Sequence, residues 1–252
     1  MISTVPDNWY ETFFTGINCE MWERAIPEEW SAKEAAFLID VMAIGKGSAI
    51  LDIPSGFGRL AIPLAKSGYN LTCIDISERF LSSLDKIAKA ENLPIRIIRG
   101  NILSLELKGS FDGAICVGNS FGYFDYDGMK LFVKKVASCL KPGARFIINS
   151  GMLAESILKN IPVEKIYVLG DLSMQINNEY IVGESYMISH LTYKQNDLEE
   201  KHDYKHFVYT VGELKRFLHS FGLKILNIYK DVEKNPYEYG DPQAFIVAEK
   251  IA

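Results

Sequence analysis

No apolar run in this sequence approaches the roughly 18 residues that a membrane span needs. Residues Met1 to Phe14 lack a basic stretch followed by an apolar one, so no secretory leader is expected. Cysteine is scarce: Cys19, Cys73, Cys116 and Cys139 are the four in 252 residues, and they lie far apart. Cys73 and Cys116 fall in strand-like apolar runs and Cys139 in a helical one. Thiols placed this way act as small apolar residues in a reducing compartment, not as a disulfide framework. Lys and Arg form no cluster, and the formal net charge is −5. That balance argues against a general binder of nucleic-acid backbone. The expectation is a cytoplasmic protein, monomer or homodimer, with no membrane and no general nucleic-acid partner.

What is present is apolar residue: 48% of the chain, against 23% charged. That suffices for one sizeable core in a single domain spanning 1–252. Strand patterns at Ala49–Ile53, Asn70–Ile74, Ile95–Ile98, Gly113–Val117 and Arg145–Asn149 alternate with helical ones. In Glu78–Ala90 the helical period is carried by Phe80, Leu81, Leu84, Ile87 and Ala88. In Met129–Leu140 it is carried by Leu131, Phe132, Val136, Ala137 and Leu140, with Lys141-Pro142-Gly143 as the stop. Strands joined through single helices must run parallel with right-handed crossovers, and their carboxyl ends form the binding crevice.

The rhythm breaks after Asn149. Residues Lys165 to Tyr209 alternate as Tyr-rich strands, with Tyr180–His190 and His206–Tyr209 the clearest and Gln195-Asn196-Asp197 a turn. This reads as an antiparallel insertion over 150–209. Thr210 and Glu213 then form a capping box for a helix through Ser220, followed by strands at Leu223–Tyr229 and Ala244–Ala248. Asp231–Pro242, with two prolines and a glycine, is a loop. Residues 1–45 read as an N-terminal helical cap.

Two strand ends carry the chemistry. Ile50-Leu51-Asp52 ends in an acid and turns through Pro54-Ser55-Gly56-Phe57-Gly58, and Cys73-Ile74-Asp75 repeats the plan about twenty residues on. Gly56 to Ala61 formally satisfies G-x-G-x-x-G/A, with Asp75 where an acid would grip the ribose of NAD. Asp52 argues otherwise. A pyrophosphate on the turn amides would be repelled by it, whereas a nucleoside that is cationic there and lacks phosphate would be welcomed. S-adenosyl-L-methionine meets that description through its sulfonium and its amino group.

These segments, with Gly100-Asn101-Ile102 and Gly118-Asn119-Ser120-Phe121-Gly122-Tyr123, resemble the class I S-adenosylmethionine-dependent methyltransferases, small-molecule members such as glycine N-methyltransferase among them. The resemblance runs from Asp52 to the C-terminus. It implies an α/β Rossmann-like sheet of order 3-2-1-4-5-7-6 with the seventh strand antiparallel. It places the Pro54–Gly58 turn, Gly56 and Gly58 included, against the methionine part. Asp75 then holds the ribose hydroxyls, Ile76 packs on adenine, Asn101 and Ile102 meet its edge and face, and Gly118 lines the cofactor. Asn119 and Ser120 face the transferring methyl and its acceptor, and Tyr123 lies close by. One departure stands out: the family usually has Gly or Ala where Pro54 stands, and Pro has no N–H to donate.

A sulfonium methyl is already electrophilic, so the reaction needs positioning first and a base only if the acceptor must shed a proton. His206 is the candidate base. His202 and His206 share a strand face but lie too far apart to chelate, so no metal site is expected. Among the dense N-terminal aromatics, Tyr10 and Trp22 are candidate pocket residues. The expected function is methyl transfer to nitrogen or oxygen of a small molecule. The alternatives are an NAD-type oxidoreductase and a methyltransferase fold that binds without transferring.

Overall fold

The computed structural model describes residues 5–159, 161 and 164–251. Three helices lead: α1 (Tyr10–Phe13), α2 (Gly16–Ala25) and α3 (Glu28–Met42). The central unit then runs β1 (Ala49–Asp52), α4 (Ala61–Lys66), β2 (Asn70–Asp75), α5 (Glu78–Ala90), β3 (Ile95–Arg99), β4 (Phe111–Cys116), α6 (Tyr126–Cys139) and β5 (Leu140–Ser150). After α7 (Ala154–Ile157) come β6 (Glu164–Leu169), β7 (Leu172–Ile181), β8 (Tyr186–Gln195) and β9 (Leu198–Phe207). The chain closes with α8 (Val211–His219), β10 (Leu223–Tyr229) and β11 (Ala244–Lys250).

Seven strands form one sheet in the order β3-β2-β1-β4-β5-β11-β10. β11 is antiparallel to both of its neighbours and the other pairings are parallel. Successive side chains point to opposite faces of a strand, and both faces are covered. Ile50, Ile147, Phe245 and Val247 join α3, α4 and α5 in one core. Leu51, Phe146, Ile148 and Ile246 join α6 and α8 in the other. The second sheet is antiparallel, in the order β6-β7-β8-β9.

The helices start where short side chains satisfy their first amides. Ser77 Oγ accepts from Phe80 N at the head of α5, and Asp125 Oδ1 accepts from Gly128 N at 2.8 Å at the head of α6. Thr210 and Glu213 form the full capping box of α8. The Asp125 cap moves the start of α6 three residues before the expected Met129, because Tyr126-Asp127-Gly128 reads as a loop until its cap is recognised. Ile87 and Leu131, counted as core in the helical patterns, are exposed.

Two local expectations are corrected. Lys141-Pro142-Gly143 lies inside β5, where the register jumps between the Phe111↔Leu140 and Gly113↔Arg145 pairs. The Tyr180–His190 run is two strands, not one. Val182 to Ser185 turn the chain between β7 and β8, with Ser185 at φ 53°. Its apolar Val182 masked the break. The Gln195-Asn196-Asp197 turn is present, with Asn196 at φ 53°.

Candidate active site

The carboxyl ends of β1, β2, β3 and β4 open into one cavity of about 340 Å³. Its roof is α1, the Phe14 that caps it and α2, which together contribute Tyr10, Phe13, Phe14 and Trp22. The second sheet contributes Tyr204 from β9. Asp52, Pro54, Gly56, Asp75, Ile76, Asn101, Ile102, Gly118, Asn119 and Tyr123 all line it, together with Tyr10 and Trp22.

The turn after β1 is tied to the end of β2. Asp75 Oδ2 accepts from Gly56 N at 2.7 Å, and its Oδ1 accepts from Ser77 N at 2.8 Å. Ser55 N donates to Ile74 O at 2.9 Å. The donor to Asp75 is thus residue 56, so Pro54 removes no amide that this turn uses. Gly58 does not line the cavity. It sits at φ 84°, and a Cβ there would lie 2.3 Å from Leu84 Cδ1, so glycine lets the turn close onto α5.

Asp52 is 3% exposed, and among the described residues no group hydrogen-bonds its carboxyl. Burial raises its pKa to about 8, with Arg59 pulling down and Asp75 pushing up. Burial also raises Asp75, against the amides of Ser77, Gly56 and Ile76 that favour its ionised form. Arg59, which the sequence reading passed over, lines the cavity between these acids and α3. Its Nη1 donates to Glu34 Oε2 at 2.5 Å, and Glu34 is 4% exposed. A buried carboxyl facing a cavity with no partner of its own suits a cationic ligand, so the residues present fit an aminoacyl sulfonium.

At the next strand end, Asn101 Oδ1 accepts from Leu103 N at 2.9 Å and its Nδ2 donates to Glu11 Oε1 at 3.0 Å. The Tyr10 hydroxyl is raised by burial and partly offset by a hydrogen bond to Asn101. The turn after β4 carries Asn119 at φ 64°, with Oδ1 accepting from Gly151 N at 2.8 Å, so β5 fixes its carboxamide. Burial raises the Tyr123 hydroxyl against a hydrogen bond from Ser120, another lining residue.

His206 does not reach the cavity. It is fully buried behind the turn, its Nε2 2.5 Å from Phe121 O and its ring 5.3 Å from that of Tyr123. Gly122, at φ 103°, leaves room for it, since a Cβ would sit 2.8 Å from the imidazole. Burial lowers its pKa to about 4, and Nδ1 has no partner. The alternation placed His206 on the right strand face but could not show that Phe121 and Tyr123 stand between it and the site. His202 packs between the rings of Phe13 and Tyr193. Among the described residues no group of three His, Cys, Asp or Glu could hold a metal, and no helix is long and apolar enough to cross a membrane.

Residues 50–143 match the family model described as a methyltransferase domain. Glycine N-methyltransferase of Homo sapiens is 24% identical over 202 residues, 71% of this chain and 66% of that one. Glycine/sarcosine N-methyltransferase of Halorhodospira halochloris is 22% identical over 97% of this chain and 91% of its own. The crystal structure of a S-adenosylmethionine-dependent methyltransferase from Clostridium acetobutylicum superposes with a TM-score of 0.80 at 18% identity. It covers 94% of this chain and 97% of that one. The matched segment opens one residue into β1 and closes as β5 begins, so it takes in the four strand ends that border the cavity. Residues 50–143 are thus similar to a methyltransferase domain, and the chain as a whole has the fold of a solved S-adenosylmethionine-dependent methyltransferase.

Proposed function

We propose that the chain transfers the methyl group of S-adenosylmethionine to nitrogen or oxygen of a small-molecule acceptor by in-line displacement. The observation that carries this reading is Asp52, a buried, unpartnered carboxyl on the cavity floor beside a glycine turn. Bound there, the cofactor supplies an electrophilic methyl on a cationic sulfur. Asp52 balances that cationic end, and Arg59 beside it complements a carboxylate. Asp75 keeps one face of its carboxylate for a diol while its other contacts hold the turn. Ile76 and Ile102 provide apolar faces for a base, with Asn101 at its edge.

The remaining work is orientation, which can supply about 7–11 kcal/mol of a barrier. Asn119, fixed through Gly151, and Tyr123, backed by Trp9 at 4.8 Å between ring centroids, shape the reacting end. The aromatic roof excludes water. A dinucleotide reading places a pyrophosphate against Asp52, which must then stay protonated and supplies that anion no counter-charge, and it is disfavoured for that reason. A binding-only reading finds no support in the site, since the strand-end acids and the turn glycines are all in place. The test is calorimetry with S-adenosylmethionine, S-adenosylhomocysteine and NAD. Micromolar-range binding of the first two without the third is expected, and NAD binding would overturn the proposal.

A further inference from the structure

This inference rests on the proposed function and concerns the acceptor. Among the described residues lining the cavity, the only charged side chains are Asp52, Asp75 and Arg59. Arg59 is spoken for twice: its Nη1 donates to the buried Glu34 and lies 3.4 Å from Ser31 Oγ, and the proposed function gives the rest of the guanidinium to the cofactor carboxylate. The wall away from the nucleotide half consists of Asn119, Ser120, Tyr123, Tyr204 and Phe13, all neutral.

Among the described residues, the basic side chains behind that wall are held elsewhere: His202, against Phe13, has its Nε2 3.5 Å from Glu200 Oε2. Lys205 neighbours Tyr204 but points to the opposite face of β9, where it is tied to Asp7. His206 lies behind Phe121, and burial keeps it uncharged near neutrality.

In-line attack holds the acceptor atom about 3–3.5 Å from the methyl carbon. In an α-amino acid the carboxylate carbon is two bonds from that nitrogen, so it cannot extend out of the cavity. It would be buried against a wall whose own side chains offer it no positive partner. The wall does offer neutral hydrogen-bonding groups: Ser120, the Nδ2 of Asn119, and the Tyr123 and Tyr204 hydroxyls. It also offers no base for a hydroxyl acceptor.

We infer that the acceptor is an amine whose neighbouring carbons carry no carboxylate or phosphate, on a neutral, ring-like or hydroxylated body. Glycine and sarcosine are not substrates, although relatives bear their names. The neutral amine's lone pair forms the bond to the methyl carbon. The carbon–sulfur bond breaks with its pair left on sulfur, and the product ammonium gives one proton to water.

The test uses the full chain and methyl-labelled S-adenosylmethionine on amines paired to differ in the α-carboxylate. The pairs are glycine with methylamine, phenylalanine with phenethylamine, and glucosaminic acid with glucosamine. Calorimetry first establishes that S-adenosylmethionine binds; failure there counts against the methyltransferase reading, not against this one. With binding established, glycine and sarcosine should give no transfer. In the pairs that react, the carboxylate member should show kcat/KM at least ~30-fold lower, the penalty of an unpaired buried charge. Transfer to glycine, a carboxylate member matching its partner, or bound cofactor with no amine methylated would each overturn the inference.

Discussion

Asp52 is the residue whose chemistry sets the rest. Its folded pKa of about 8 lies above the ordinary 3.8, so between those values the folded protein holds a proton that the unfolded chain has lost. Stability of the ligand-free protein therefore falls as pH rises through that window and levels off above it. Asp52→Asn should remove this slope and stabilise the ligand-free protein by up to about 5 kcal/mol at pH 8, read from denaturant midpoints. The same variant should bind S-adenosylmethionine less tightly. A variant that is no more stable and binds as well would show that Asp52 is not held against its charge.

His206 titrates with the opposite sign. Its folded pKa of about 4 lies below the ordinary 6.5, so stability is lost as pH falls through that interval. Around neutrality it carries no charge to change. His206→Gln should lower turnover through a loosened Tyr123 turn while the pH–rate profile between pH 6.5 and 9 keeps its shape. Loss of an acid limb from that profile would restore His206 as a proton acceptor. Asp75→Ala removes the acceptor of the Gly56 and Ser77 amides as well as the proposed ribose contact. It should cost about 1.5–3 kcal/mol of cofactor affinity by calorimetry, and unchanged affinity would contradict the assignment.

At the scale of elements, the roof belongs to the second sheet more than to the nucleotide half. Trp9, Phe13, Ile17 and Met21 share a core with Leu172, Met174, Leu191 and Tyr193. On the other side, the roof meets the central unit through three ring contacts, Trp9 with Tyr123, Tyr10 with Phe124 and Phe14 with Phe80, and through partly exposed polar ones: Arg79 with Glu23 at 2.9 Å and with Gly16 O at 2.8 Å, and Asn101 with Glu11. Exposed ion pairs contribute about 0–1 kcal/mol each. Arg79→Ala should therefore speed cofactor release by about two- to fivefold in stopped-flow, with little change in thermal stability. Hydrogen exchange should show residues 9–30 gaining protection on cofactor binding, and equal protection in both states would make the roof ordinary packing.

Across the whole molecule, what could be read from sequence was what is local. Parallel strands followed from strand–helix alternation, the sheet order and its reversed last strand from the resemblance alone, and the strand-end acids announce themselves beside a glycine turn. Less legible were features that depend on distant partners. Arg59 reads as a surface residue until Glu34, 25 positions away in sequence, folds onto it. Tyr204 looks like any tyrosine of the insertion until the β8–β9 register, with Ser189 opposite it, turns it toward the cavity. Trp22 and Tyr10 could be chosen only from a cluster of aromatics, and the structure brings both to the cavity wall.

The central claim is that a buried, protonated Asp52 selects a cationic, phosphate-free nucleoside. Its most direct test is calorimetry of S-adenosylmethionine binding at pH 7 in buffers of different ionisation enthalpy. The cationic end should lower the Asp52 pKa, so binding should release close to one proton, and affinity should rise with pH until about 8. NAD should give no heat. Binding without proton release, or with affinity independent of pH below 8, would contradict the account.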